Sequence, residues 1–199
     1  YEIGVHLVGS EMCIRDRYYF ILVQIFIFIL FYYYFMEEIT KTITIPACVD
    51  DVWKVVSDFH HVNVWDRYVK SVTKLGDVKN GVGLVRECHY YDGKFSTEKL
   101  VEFDNINYRM VISIIKGISP IENAKIFESV TADGESSTNF SITLRYDIKD
   151  DFLGKLLYFI FVKRNLSNVL RNLAQGLADN VTTGKYVGEN GILLENKNS

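Results

Sequence analysis

No two cysteines of this chain are spaced to hold zinc or to exchange electrons as a dithiol: Cys13, Cys48 and Cys88 are scattered, with no CxxC pair. Their odd number and wide spacing fit a reducing compartment, so a cytoplasmic protein is expected. No run of Lys or Arg is long enough to follow a phosphate backbone and the net charge is −3, which excludes nucleic acid as a partner. No glycine loop has phosphate-cradling spacing and no residue set has metal-ligand spacing, so no cofactor and no metal are expected. Histidine occurs only four times; His60 and His61 are adjacent in a loop and point apart, and His89 is expected to face solvent from a strand. Proline occurs twice: Pro46 stops the first extended segment before a helix start, and Pro120 marks a break between two extended segments.

What is present is the composition of one globular domain with extensions, 48% hydrophobic and 24% charged. Tyr18 to Phe35, YYFILVQIFIFILFYYYF, is an 18-residue stretch without a charge, long enough to be a transmembrane candidate. Two features point elsewhere. Val8 to Arg17, VGSEMCIRDR, reads in register as the translation of a transposase adapter used in sequencing libraries. In addition, 16 of the 18 residues from Tyr18 to Phe35 are Tyr, Phe, Ile or Leu, all of which have codons made only of A and T. Residues 1–35 are therefore expected to be a gene-model artefact, with Met36 as initiator. The alternative is a single membrane anchor with Arg15 and Arg17 on the cytoplasmic side, and only then is a membrane a partner. The domain is expected to span residues 36–185, followed by a polar tail at 186–199.

Ile39 to Ile45 alternates apolar and polar residues, the period-two signature of a half-buried strand. Asp50 and Asp51 then sit near a helix start, and Val52, Val55, Val56 and Phe59 fall on one helical face. His60 to Arg67 makes a second short helix or turn carrying Trp65, with Trp53 and Phe59 read as core. Val69 to Leu75 resumes the strand pattern. From Gly81 the chain is all β: a hairpin about Asp92-Gly93, a strand from Tyr108 to Ile115, and two more, Ala124 to Val130 and Thr138 to Ile148, joined at Asp133-Gly134. Asp150 or Asp151 is placed to cap a helix reaching about Thr182, with Leu153, Leu156, Leu157, Ile160, Leu166, Leu170, Leu173 and Leu177 at three- and four-residue steps.

This order specifies an α+β helix-grip architecture: a curved antiparallel sheet of six or seven strands around one long C-terminal helix, with two short helices after the first strand. A helix of about 30 residues spans ~45 Å and crosses such a sheet. The space enclosed is a natural pocket for a small hydrophobic molecule.

Along the walls, one parity set of each strand must face inward. The candidate ligand-binding residues are Trp65, Leu84, Cys88, Leu100, Tyr108, Met110, Ile112, Phe140, Ile142 and Leu144. The sharpest polar pair is Arg86 and Glu98. A three-residue hairpin loop, Tyr91-Asp92-Gly93, sets them directly opposite each other, whereas a two-residue loop separates them. As a bland reading they are a cross-strand ion pair or a clamp that orients a ligand.

Ile45-Pro46-Ala47, Asp51-Val52-Trp53, Ser57-Asp58-Phe59, Trp65, Gly81-Val82-Gly83 with Val85-Arg86, Asp92-Gly93, Glu98-Lys99-Leu100, Ser119-Pro120-Ile121, Asp133-Gly134 and the Leu-rich last helix together resemble the START-like SRPBCC superfamily. That superfamily includes lipid-transfer domains, plant hormone binders and aromatic polyketide cyclases. The resemblance implies a cavity for a lipid, polyketide-like or aromatic metabolite. It also implies a cyclase- or dehydratase-like lyase as an alternative. Relatives of the lachrymatory-factor synthase type use an Arg and a Glu for proton transfer; by resemblance Arg86 polarises a ligand oxygen and Glu98 is the acid or base. A membrane-tethered lipid carrier is a third reading, which needs Tyr18 to Phe35 to be genuine. Where the family often has Asn-Tyr after Ser-Pro, this chain has Asn123-Ala124, one polar wall residue fewer.

Overall fold

The computed structural model describes residues 22–24, 36–117, 121–148 and 152–195. The chain divides into a unit of residues 1–36 and a unit of residues 37–199. In the first, residues 22–24 are helical, and the rest of the Tyr18 to Phe35 stretch lies outside the described residues. Among the described residues no helix is long and apolar enough to cross a membrane.

The second unit is α+β. Strand β1 (Met36–Ile45) leads through Pro46 into α1 (Val49–Val56) and a 3-10 helix (Phe59–Val64). Then come β2 (Val69–Leu75), β3 (Val85–Tyr90), β4 (Phe95–Asp104), β5 (Arg109–Lys116), β6 (Ile121–Ala132) and β7 (Thr138–Ile148). The long helix α2 (Phe152–Thr183) follows. The proposed helix cap at Asp150 or Asp151, the Ser119-Pro120 break, and the side chains of Leu153, Leu156, Leu157 and Ile160 lie outside the described residues.

These seven strands make one antiparallel sheet in the order β1-β7-β6-β5-β4-β3-β2, with β1 closing against β7. Period-two chemistry drives that closure. Thr40, Thr42 and Thr44 alternate with apolar residues and reach Thr143, Ser141 and Asn139 on β7, each at 2.8 Å. Ile39 and Ile45, on the opposite face, are buried. The inner face meets α1 through Val52 and Val56 and α2 through Leu170, Ala174 and Leu177, all in one core. Fully burying an aliphatic side chain of this size contributes about 1.5–3 kcal/mol, so this shared face dominates the stability.

Two boundaries differ from the sequence reading. The extended run expected from Gly81 starts at Val85. Gly81 and Gly83 adopt positive φ, and a turn closes between Leu84 N–H and the Gly81 carbonyl at 3.3 Å. The segment from residue 186, read as a polar tail, instead folds back as a ribbon of β8 (Tyr186–Val187) and β9 (Leu193–Leu194). The anchor is Val187, which is 1% exposed, while Ile192, Leu193 and Leu194 further along stay exposed. The Asn180 amide helps hold the turn by donating to the carbonyls of Lys185, at 2.8 Å, and Val64, at 3.3 Å.

Candidate functional site

The β3–β4 hairpin decides where its charges go. Gly93 takes φ +82°, its N–H donates to the Tyr90 carbonyl at 3.1 Å, and Tyr90 N–H donates to the Lys94 carbonyl at 2.9 Å. The loop is therefore the three-residue Tyr91-Asp92-Gly93, and Arg86 stands opposite Glu98. Both are 5% exposed. Arg86 donates from Nε and Nη2 to Glu98 Oε2, at 2.8 and 2.7 Å, and from Nη1 to the Phe59 carbonyl. Its guanidinium also lies 4.2 Å from the centre of the Phe59 ring. Glu98 Oε1 accepts from Ser96 Oγ at 2.8 Å, and Ser96 shares a 2.7 Å hydrogen bond with Tyr90 Oη. Burial works against the Arg86 charge, but the adjacent Glu98 carboxylate outweighs it and holds the guanidinium protonated. The pair is thus a closed clamp with most of its hydrogen bonds spent inside the protein.

Two further buried carboxyls join this cluster. Glu128, on β6, is 5% exposed, and burial pushes its pKa up to about 8; Arg86 opposes the shift, while Glu98 and Asp66 add to it. Asp66, in the turn before β2, is pushed up to about 7, again mainly by burial, although Tyr68 N–H donates to its Oδ1 at 2.8 Å. Three carboxyls crowded around one guanidinium in an apolar setting disfavour one another's charge, so the two outside the clamp are pushed toward their protonated forms, Glu128 further than Asp66.

These groups border a cavity of about 490 Å³ between the sheet and α2. Ile114, Ile126, Ile142 and Leu144 supply its sheet wall, and Leu166, Leu170 and Leu173 its helix wall. Glu189 and Asn190, from the C-terminal ribbon, also border it. Among the described residues no group of His, Cys, Asp and Glu is arranged to hold a metal ion. A second depression, of about 590 Å³, is lined by polar residues such as Asp51, Lys54 and His61 beside the end of α2.

Of the residues singled out from the sequence, Arg86, Glu98, Trp65, Ile142 and Leu144 border the main cavity. Leu84, Cys88, Leu100, Met110, Ile112 and Phe140 do not: they pack in the core with Val52, Val56 and Phe59. Inward parity is common to both groups, but only part of the inner face borders the cavity, and the short helices cover another part. The Cys88 thiol, 1% exposed, is pushed up to about 12 by burial and the nearby Glu98 charge, so it acts as a small core hydrophobe. Tyr108 is elsewhere altogether. It sits at φ +51° before β5, donates its hydroxyl to Asp50 at 2.7 Å, and rests edge-on against Trp53. His61 pairs with Asp58 in solvent, and His89 is 42% exposed beside Glu87. His60 is half-buried, with its ring against Phe59.

Sequence reasoning missed Glu128 and Asp66. Glu128 did leave a signal, since Ala124, Ile126, Glu128 and Val130 share one parity and the acid interrupts an apolar row. Asp66 lies in an irregular turn with no periodicity to read.

A family model described as polyketide cyclase / dehydrase and lipid transport matches residues 36–178. Three solved structures share the fold. A protein from Nitrosospira multiformis is 21% identical over 74% of this chain and 98% of its own, with a TM-score of 0.60. A protein from Thermus thermophilus is 18% identical over 74% and 99%, with a TM-score of 0.62. A point mutant of the norcoclaurine synthase of Thalictrum flavum, in complex with a transition state analogue, is 18% identical over 75% and 96%, with a TM-score of 0.59.

Proposed function

The chain belongs to the polyketide cyclase / dehydrase and lipid transport family, within the START-like SRPBCC superfamily, and from that premise we propose that it binds a small, mostly apolar metabolite between its sheet and α2. The observation that carries this reading is the cavity itself: about 490 Å³, walled by aliphatic side chains from both layers, with a few buried polar groups converging on it. That size and lining suit a lipid fragment, a polyketide-like chain or an aromatic metabolite. Native mass spectrometry of the purified protein is expected to detect a retained small molecule. The variant Leu173→Trp, which fills the space from the helix side, is expected to lose it while remaining folded. Equal retention by the variant would sink the reading.

The acid cluster favours a second reading, a cyclase- or dehydratase-like lyase. Glu98, paired with Arg86, beside Glu128, whose pKa burial pushes up to about 8, gives one cavity two carboxyls in contrasting environments, as a base and an acid require. The norcoclaurine synthase fold supports this only as an example of the architecture carrying chemistry. Under this reading Glu98→Gln abolishes turnover of any substrate found and leaves its affinity nearly unchanged. Because that change leaves Arg86 buried without its counter-charge, the melting temperature is measured alongside.

A further inference from the structure

Residues that border the cavity and are also exposed to solvent mark its rim, and they fall into two groups. Asp92 and Lys94, from the β3–β4 hairpin loop, form one lip with Gly117; Glu189 and Asn190, from the turn of the C-terminal ribbon, form the other. The hairpin lip is fixed. It belongs to the seven-stranded sheet, and the N–H groups of Tyr90 and Gly93 close its loop at 2.9 and 3.1 Å. Tyr91 N–H donates to the Tyr68 carbonyl at 3.1 Å, and a Cβ on Gly117 would lie 2.0 Å from the backbone oxygen of Phe95. The ribbon lip is held by much less. Its pairing is only Tyr186 against Leu194 and Val187 against Leu193. Val187 anchors β8, but Leu193 and Leu194 are 41% and 47% exposed, so β9 can leave without uncovering buried apolar side chains of its own. Segments with few buried apolar contacts and few hydrogen bonds open first.

We propose that this ribbon is a gate over the cavity, hinged at Gly188 and closed by the seat of Gly191 on Arg67, and that the ligand enters and leaves when it opens. The proposal rests on the binding reading above and adds how the ligand reaches its site. The seat is close: a Cβ on Gly191 would lie 2.6 Å from Arg67 Nη2 and 2.8 Å from its Cζ, and Arg67 borders the cavity. Arg67 Nη2 also faces Asp179 on α2 at 3.7 Å, so opening lifts the turn off a guanidinium that stays in the wall. Gly188 lies one residue past the Val187 anchor, and a glycine absorbs a large dihedral change at little steric cost. Asn190 and Gly191 both take positive φ, +57° and +81°, which makes the turn compact enough to travel as a unit. The family model matches residues 36–178 and so does not extend to the ribbon. A gate of this kind scales entry and exit by the same open fraction. A ligand with equal affinity for the open and closed forms therefore changes its rates and keeps its affinity.

Two measurements test the gate. The first is hydrogen exchange by NMR on the full chain without ligand, corrected for intrinsic rates. Gly188 is buried and its N–H donates to the Ile192 carbonyl at 2.8 Å, so its exchange reports β9 parting from β8; Tyr90 N–H, bound to the Lys94 carbonyl at 2.9 Å, is the matching amide of the fixed lip. Gly188 is expected to exchange at least about tenfold faster. Equal protection overturns the gate and leaves the binding reading intact. The second is stopped-flow fluorescence with N-phenyl-1-naphthylamine, a neutral apolar probe, on wild type, Gly191→Ala and a chain shortened to end at Gly188. Gly191→Ala puts a methyl against Arg67 and strains the backbone at φ +81°. It is expected to raise the association and dissociation rates together, each about fivefold, with Kd held within about twofold. The shortened chain lacks the gate, is expected to raise both rates at least as far, and covers the case in which Gly191→Ala fails to fold. Rates unmoved in both variants overturn the gate alone. A rise in dissociation only, with a matching loss of affinity, also overturns it, because the ribbon is then part of the binding wall. A probe that does not bind the wild type overturns the binding reading, and the gate falls with it.

Discussion

Glu128 is the residue at which burial and charge conflict most openly. Its carboxyl has an ordinary pKa of 4.5 and sits at about 8 in the folded protein, raised by burial and then by Glu98 and Asp66, with Arg86 pulling the other way. Between those two pH values the folded state holds a proton that the unfolded chain has released. Its stabilising effect is therefore complete below about 4.5 and is lost as pH rises through about 8. Asp66 acts in the same sense, between 3.8 and about 7. Glu128→Gln removes the titration while keeping the shape. Relative to wild type, it is expected to melt at a similar temperature at pH 5 and several degrees higher at pH 8, as scanning calorimetry at the two values would read. A constant difference across that range would mean that Glu128 ionises freely where it stands. The Arg86–Glu98 pair calls for opposite handling, because neither member can be removed without stranding the other. Its energetic value as a pair is correspondingly modest, and its larger effect is to tie β3 to β4 and to the backbone at Phe59.

At the scale of elements, α2 has to come unusually close to the loop after the 3-10 helix. Gly176 is the reason it can: a Cβ there would lie 2.3 Å from the backbone oxygen of Trp65. In an exposed helix Gly→Ala stabilises by about 0.5–1 kcal/mol. Here the sign reverses, since the obstacle is backbone, and Gly176→Ala is expected to cost about 1–3 kcal/mol, in the range of overpacked cores. Chemical denaturation would show it as a lower midpoint with an unchanged slope, and a stabilised variant would refute the close approach. The same displacement moves Trp65, so the variant is also expected to weaken binding in the cavity. Gly93 works at the other end of the sheet, where its φ of +82° makes the three-residue turn and so sets the hairpin register. The sequence left two loop lengths open there, because Asp92-Gly93 suits either and the choice depends on which strand faces gain burial.

The whole molecule includes more of the chain than its hydrophobic patterning announces. Removing residues 186–199 is expected to lower the melting temperature clearly, since Val187 is fully buried and Glu189 and Asn190 border the cavity. A dispensable tail would leave the transition where it was. The element order and the α+β helix-grip class were legible in the sequence because both rest on local periodicities: Ile39 to Ile45 alternates, Val52 to Val56 recurs at helical spacing, and Leu166 to Leu177 carries a stripe long enough to cover a sheet. That Arg86 and Glu98 share a face was legible only for one of the two hairpin registers, the one that Gly93 sets in the fold. Periodicity says which way a side chain points but not what it meets. Leu100 and Ile112 face inward into core while Ile142 and Leu144 face inward onto the cavity, a division set by where α1 and α2 come to rest on the sheet. The sequence alone thus determined the fold class and singled out Arg86 and Glu98, while the register that pairs them was left to the hairpin turn. Only the packed structure decided that Arg86 is spent on Glu98, that burial raises the pKa of Glu128, and that Trp65 and Asp66 come to the same cavity, because each depends on distances between segments brought together by the fold.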